Sequence, residues 1–192
     1  MYAIAIIISL ITAIIAVFVN PKLVILIPYG VVVPLLVLLP RFVYSQSSKM
    51  REHVNKNWVT NMEMVCVFII LLNAPGSLWL HDTGIQYDRV IHYGAGFFVF
   101  FLLLMFYVSL KNIENGKKEK ILLAILVVSF VGLFAWEGFQ WFLDQNFGTK
   151  VFFDLKQSIE LDVTEDILYG TLGLFTALMY VKRNGKFLDR MK

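Results

Sequence analysis

Three short stretches of this chain pair ionisable or amide side chains at the spacing of one helical turn: Asp88 with His92, Glu137 with Gln140, and Asp162 with Asp166. Residues three or four apart share a helix face, so each pair presents its groups in one direction. Carboxylates with a single imidazole suit a hard or borderline divalent ion, and each i, i+4 pair can offer two groups to it. Such an ion would activate a water for attack on a phosphodiester, phosphate or ester. Without metal, crowded carboxyls divide into an acid and a base, or into the proton site of a transporter. Glu137, His92 and Asp166 are therefore the candidate catalytic residues, and Asp88, His92, Glu137, Asp162 and Asp166 the candidate metal ligands. Arg89 would hold an anionic group bidentately at the mouth. It joins Asp88, Gln140, Asp162 and Tyr169 as the candidate binding set. The chain has no outstanding serine or cysteine nucleophile, no phosphate-cradling glycine loop and no zinc-protease motif.

The elements that must position these groups are apolar. Glu137 is the only charge in residues 121–143, a 23-residue run long enough to cross a bilayer. An ionisable group at that depth costs at least ~2.5 kcal/mol, so it is usually paired and often functional. Hydrophobic residues make up 58% of the 192 and aromatics 15%, which excludes an ordinary soluble domain. The apolar runs 3–19, 23–40, 58–80, 90–110, 121–143 and 166–181 define an all-α integral membrane protein of six transmembrane helices in a single polytopic domain. The first run lacks a basic stretch and a small-residue cleavage site, so it reads as a span and not a signal peptide. Asn20-Pro21 makes a tight hairpin, and Pro28, Pro34 and Pro75 should kink their spans. Run lengths and the lack of alternation exclude a membrane β-barrel. The single cysteine, Cys66, excludes an intrachain disulfide and a cysteine-rich metal site.

Charge orients the spans. Thirteen basic residues fall in the loops and tail around 41–56, 111–120 and 182–192, against only Lys22, Arg89, Lys150 and Lys156 on the other side. This asymmetry places both termini in the cytoplasm and the protein in the plasma (inner) membrane as a multi-pass chain. The net charge of +3 is thereby accounted for without nucleic acid, leaving the lipid bilayer as the partner. The lysine run 117–120 reads as a cytoplasmic loop facing anionic headgroups. Asp88 and His92 then lie at the outer interface, and Glu137 lies roughly 9 Å deep at 1.5 Å per residue. The face of Glu137 continues through Gln140, Trp141 and Asp144, and that of Asp166 through Tyr169 and Gly173. Asn73, Ser77 and His81 bring a fourth polar stripe to the same level. Gly94, Gly96, Gly132, Gly138, Gly170 and Gly173 would allow close packing of these spans.

Structural explanations compete with this convergence. Asp88 and Asp162 each open a helix, and Asp162 with Glu165 has the spacing of a capping box, so caps and dipoles account for either aspartate. Glu137 can be a buried partner of Arg89 or His92. Trp79, Tyr87, Trp136 and Trp141 fit an interfacial aromatic belt.

The stretches 87–93 (YDRVIHY), 136–140 (WEGFQ) and 162–173 (DVTEDILYGTLG) resemble, in order and spacing, three elements of VanZ-like membrane proteins. These are an aspartate-basic-x-x-histidine-aromatic helix start, a glutamate-x-x-glutamine element, and a closing aspartate-x-x-x-aspartate helix with small residues. The likeness covers residues 87–181, half the chain, and the six-span layout is similar to the YjdF-like bacterial inner-membrane proteins. Tyr169 departs from the family's usual asparagine, and the 144–161 loop is longer and not arginine-rich. The resemblance implies a cell-envelope role of the kind associated with low-level glycopeptide resistance. It supports Asp88, His92, Glu137, Gln140, Asp162 and Asp166 as one site.

Two function classes follow. One is a metal- or acid-base-dependent enzyme acting on a lipid or lipid-linked headgroup from the extracytoplasmic side. The other is a binding protein or transporter for a small solute, lipid or proton. A purely structural membrane protein is the third possibility. A through-path would need polar groups toward the cytoplasmic half of the same helices, where residues 99–105, 121–130 and 172–179 offer only Ser129 and Thr176 and the third span adds Glu63 on the inner side.

Overall fold

The computed structural model describes residues 26–75, 87–110, 116–147 and 157–184, together with Ile7, Leu10, Ile11, Ile14, Ile15 and Phe18. Every regular element among them is helical: α1 (Leu26–Gln46), α2 (Ser48–His53), α3 (Lys56–Pro75), α4 (Tyr87–Leu110), α5 (Lys118–Phe147) and α6 (Ile159–Arg183). The described positions of the first apolar run are also helical, and Ile7, Ile11, Ile14, Ile15 and Phe18 form one outward apolar stripe at i, i+4, i+7, i+8 and i+11.

Runs 90–110 and 121–143 lie within α4 and α5, the two helices among the described residues that are long and apolar enough to cross a membrane. Other boundaries differ from expectation. Helix α1 does not end at Pro40 but runs through Pro28, Pro34 and Pro40 to Gln46. The 41–57 stretch is not a simple basic loop. It contains α2, capped where the Ser47 hydroxyl accepts from the Met50 amide at 3.2 Å. The reason is burial: Met50 and Val54 enter the core at 0% and 3% exposure while the basic side chains stay outside. Residues 76–80, and with them Trp79, Ser77 and the end of the third run, lie outside the described residues, as do His81 and the side chain of Asn73. Helix α6 begins at Ile159, its N-cap being Ser158, whose hydroxyl accepts from the Leu161 amide. The expectation that Asp162 caps this helix is therefore overturned. Asp162 lies inside the first turn, where its charge still meets the positive end of the helix dipole.

Helices α4 and α6 form the most extensive pairing, and they run parallel. A Cβ on Gly96 would sit 2.1 Å from the Gly170 carbonyl oxygen, and one on Gly173 would sit 2.0 Å from that of Tyr93. Backbone therefore meets backbone, which only glycine permits. Helix α5 packs antiparallel against this pair, with Leu133 against Gly170 and Phe130 edge-on to Phe175 at 5.9 Å. Gly132 and Gly138 do not serve close packing, since a Cβ at either would meet nothing within 4 Å. Below this crossing α4 is the centre of the core: Phe100, Phe101 and Leu104 are fully buried, and Trp58 and Tyr180 stack around Phe101.

Helix α1 is tied to α3 by a forked pair. Arg41 donates from Nε and an Nη to the two Glu63 oxygens at 2.7 and 2.6 Å, and Glu63 is fully buried. Replacing Gly173 or Gly96 by leucine should destabilise the protein by roughly 1–3 kcal/mol, because the obstructing atoms are backbone and cannot swing aside. Gly132→Ala should leave stability unchanged or slightly raised. Thermal unfolding in detergent checks this, and equal tolerance at all three positions would contradict the close crossing.

Candidate functional site

The first turns of α4 and α6 start side by side, and the late part of α5 passes them. This brings His92 to the centre of three carboxylates. Its Nε2 lies 3.3 Å from Asp166 Oδ1 and 3.6 Å from Asp88 Oδ1, while its Nδ1 lies 3.4 Å from Glu137 Oε1. The imidazole thus presents one nitrogen to the two aspartates and the other to the glutamate. Donor atoms of Asp88, His92 and Asp166 all fall within 4.8 Å of one another, a spacing that a single cation can span. Asp166 and Glu137 are buried at 4% and 1% exposure, and Asp88 and His92 are half-buried.

Glu137 is not among those three donors. It occupies the far side of the ring, the place of the carboxylate that orients a metal-bound histidine. Its Oε1 is buried without a hydrogen-bonding partner, and so is Oε1 of Gln140, one turn further along the same face of α5. Buried polar atoms are normally satisfied, so these two mark α5 as a wall still able to bond. Asp162 is buried one turn before Asp166 but outside the three-donor group.

Arg89 was expected to hold an anion. The structure places its fork on Glu165, with Nε 3.1 Å from Oε2 and an Nη 2.6 Å from Oε1. Its guanidinium carbon lies 5.4 Å from the centre of the Tyr169 ring, one turn beyond Glu165. Sequence reasoning missed Glu165 because its three-residue distance from Asp162 suggested a capping box. The available signal was the i, i+4 spacing of Glu165 and Tyr169, which stacks a carboxylate and a ring on one face. Around the rim, Trp136 and Trp141 are exposed as a belt requires, but Tyr87 is buried at 6% exposure and belongs to the interior.

An all-helical protein with apolar bilayer-length helices and an acidic cluster around one histidine is an integral membrane protein in architecture. The chain belongs to the family described as predicted membrane protein (DUF2238), whose profile matches residues 2–186. No curated protein and no solved structure matches it.

His92→Ala removes the group shared by three carboxylates and should cost about 3–5 kcal/mol, the range for breaking a buried pair. Adding Glu137→Gln should recover part of that loss. Arg89→Ala, in a pair about a quarter exposed, should cost less, roughly 1 kcal/mol. Unfolding midpoints of the single and double variants measure the coupling, and additive effects of the His92 and Glu137 changes would show the two to be independent.

Proposed function

We propose that the chain is a six-span inner-membrane protein with both termini in the cytoplasm. In this reading Asp88, His92 and Asp166 hold a divalent cation at its extracytoplasmic side, next to the headgroup of a lipid or lipid-linked substrate. One observation carries this: a single imidazole faces three carboxylates and divides them between its two nitrogens. Three other ion pairs among the described residues join one cation to one carboxylate: Arg41 with Glu63, Arg89 with Glu165 and Lys182 with Glu119. At the His92 cluster three carboxylates face one imidazole, an arrangement that a cation would relieve.

Orientation supports the reading. The cluster joins the starts of α4 and α6 to the late part of α5, whereas the start of α5, with Lys118 and Lys120, meets the end of α6, with Lys182 and Arg183, through the Glu119–Lys182 pair. Basic residues retained in the cytoplasm leave the acidic cluster outside. One-sidedness favours a headgroup site over a through-path. The two polar side chains expected in the inner halves of α5 and α6 bond back to their own helices, Ser129 to the Ile125 carbonyl at 2.8 Å and Thr176 to that of Leu172 at 2.9 Å. The local likeness to VanZ-like and YjdF-like proteins over 87–181 points to the same envelope setting.

A cation held there supplies activation of a water or polarisation of a phosphoryl or carbonyl oxygen. The protein's own residues have distinct tasks. Asp88 and Asp166 carry the negative charge, and His92 Nε2 completes the ligand set. Glu137 holds the imidazole by Nδ1 and keeps Nε2 aimed at the aspartates. Asp162 adds charge one turn away, Gln140 offers a buried amide oxygen, and Arg89 clamps α4 to α6 through Glu165.

Elemental analysis of detergent-purified protein should find one divalent metal per chain. It should be absent from Asp166→Asn and Asp88→Asn and bound roughly 10- to 100-fold more weakly by Glu137→Gln. Metal-free wild type, or equal metal in all variants, would overturn the reading. Orientation has a separate test: in intact cells a membrane-impermeant maleimide should label Asn146→Cys and not Asn184→Cys, in a Cys66→Ser background.

A further inference from the structure

Gln140 lies one turn beyond Glu137 on the same face of α5, about 4.5 Å further along the axis. That face meets α4 at Glu137 and His92, so the Gln140 side chain is directed toward the same space between the helices. The residue is only 8% exposed, and its Oε1 is buried without a hydrogen-bonding partner. Nearby acids are engaged: Asp88, Asp166 and Glu137 face His92, and Glu165 receives the Arg89 fork. Gln140 is different because its carboxamide carries no charge. A cation among the aspartates therefore does not account for it, and a buried acceptor of this kind is normally matched by a donor.

The rim at this level is apolar. Trp136, Phe139 and Phe142 on α5 and Leu161 and Leu168 on α6 are each between 40% and 53% exposed. In the orientation proposed above they stand at the outer edge of the hydrocarbon, where a lipid passes from acyl chain to headgroup. We infer that Gln140 Oε1 accepts a hydrogen bond from a hydroxyl of that headgroup, so the lipid at the cluster is a phosphate ester of glycerol or of a sugar. This rests on the cation-and-headgroup reading of the His92 cluster and names the class of headgroup. The amide selects the donor. A quaternary ammonium has no N–H or O–H to give, and an ionised phosphate offers oxygens alone. A primary ammonium would be matched better by another carboxylate, the residue type already used three times around His92. An uncharged acceptor fits an uncharged hydroxyl.

The test compares phosphatidylglycerol with phosphatidylpropanol of identical acyl chains, which has the same charge and lacks only the headgroup hydroxyls. Binding to the detergent-solubilised full chain is read by native mass spectrometry, with metal content measured on the same preparations. Wild type should prefer phosphatidylglycerol roughly 10- to 100-fold, because the analogue leaves the buried oxygen unpaired. Gln140→Leu should bring the two lipids near parity and keep its metal. Without lipid it should unfold at the same or a higher temperature than wild type, since an apolar group replaces an unpaired acceptor. Gln140→Glu, which keeps the acceptor, should keep the preference, and Ser129→Ala in the inner half of α5 should leave the ratio unchanged. Soluble glycerol phosphate should not displace the lipid, and displacement at equal concentration would overturn the lipid assignment. Equal binding by metal-loaded wild type, or a preference that survives Gln140→Leu, would overturn the inference alone. Metal-free wild type would instead overturn the reading of the cluster on which the inference rests.

Discussion

Where α4 and α6 cross, there is no side chain between them. Gly96 lies against the Gly170 carbonyl and Gly173 against that of Tyr93, and contacts this close fix both the separation and the register of the two helices. Register decides what meets at the ends. With Gly173 opposite Tyr93, the parallel helices bring Arg89 to Glu165 and His92 to Asp166. A slip of one residue on a helix rotates its side chains by about 100°, which would turn Asp166 away from the imidazole. The polar cluster therefore depends on a backbone contact one to two turns away. It could not be assembled by electrostatics alone, because desolvation of buried charges offsets much of their attraction.

Most of the buried and half-buried acids described meet one of two kinds of partner. Glu63 and Glu165 each receive a guanidinium fork, which satisfies both oxygens and cancels the charge. Such pairs join helices and are complete in themselves. Asp88, Asp166 and Glu137 share a single imidazole at 3.3–3.6 Å, and the Oε1 atoms of Glu137 and Gln140 keep unused bonding capacity. In a low-dielectric interior that arrangement is expensive unless something further compensates it. Three carboxylates on one imidazole separate the His92 cluster from the one-to-one pairs among the described acids.

Much of this was legible in the residues. Periodicity gave α4 and α5 closely, because a 20-residue apolar run has few alternatives in a membrane protein. Spacing brought Asp88, His92, Glu137 and Asp166 to one level, since i, i+4 pairs at like-facing helix ends must meet if the helices do. Partner choice was not legible. Arg89 had several acids within reach, and only the α4–α6 register gives it Glu165 and leaves Glu137 to His92. The start of α6 was misplaced for a local reason: Asp162 and Ser158 are both good caps, and the apolar Ile159 and Leu161 favoured the earlier one. Helix α2 was hidden because its five polar or charged residues outweigh one buried methionine in any average over composition. Glycine was over-read for a related reason. Six glycines in three helices look alike in sequence, yet Gly132 and Gly138 face open space and Gly96 and Gly173 face backbone.

Helix α5 is the least constrained wall of the site. Its outer face is a broad exposed apolar surface, with Leu123, Val127, Val131 and Phe134 each more than half exposed. It meets α6 through the flexible Leu133 side chain at Gly170, where α4 meets α6 through backbone. The α4–α6 pair thus sets two aspartates and one ring nitrogen rigidly, and α5 brings Glu137 to the other nitrogen at ion-pair distance without a hydrogen bond. Charge arriving between Asp88 and Asp166 would make the imidazole a better Nδ1–H donor, and the open acceptor on Glu137 is placed to take that bond. The same helix carries Lys118 and Lys120 at its far end, so the acidic and basic ends of the molecule share a single continuous element.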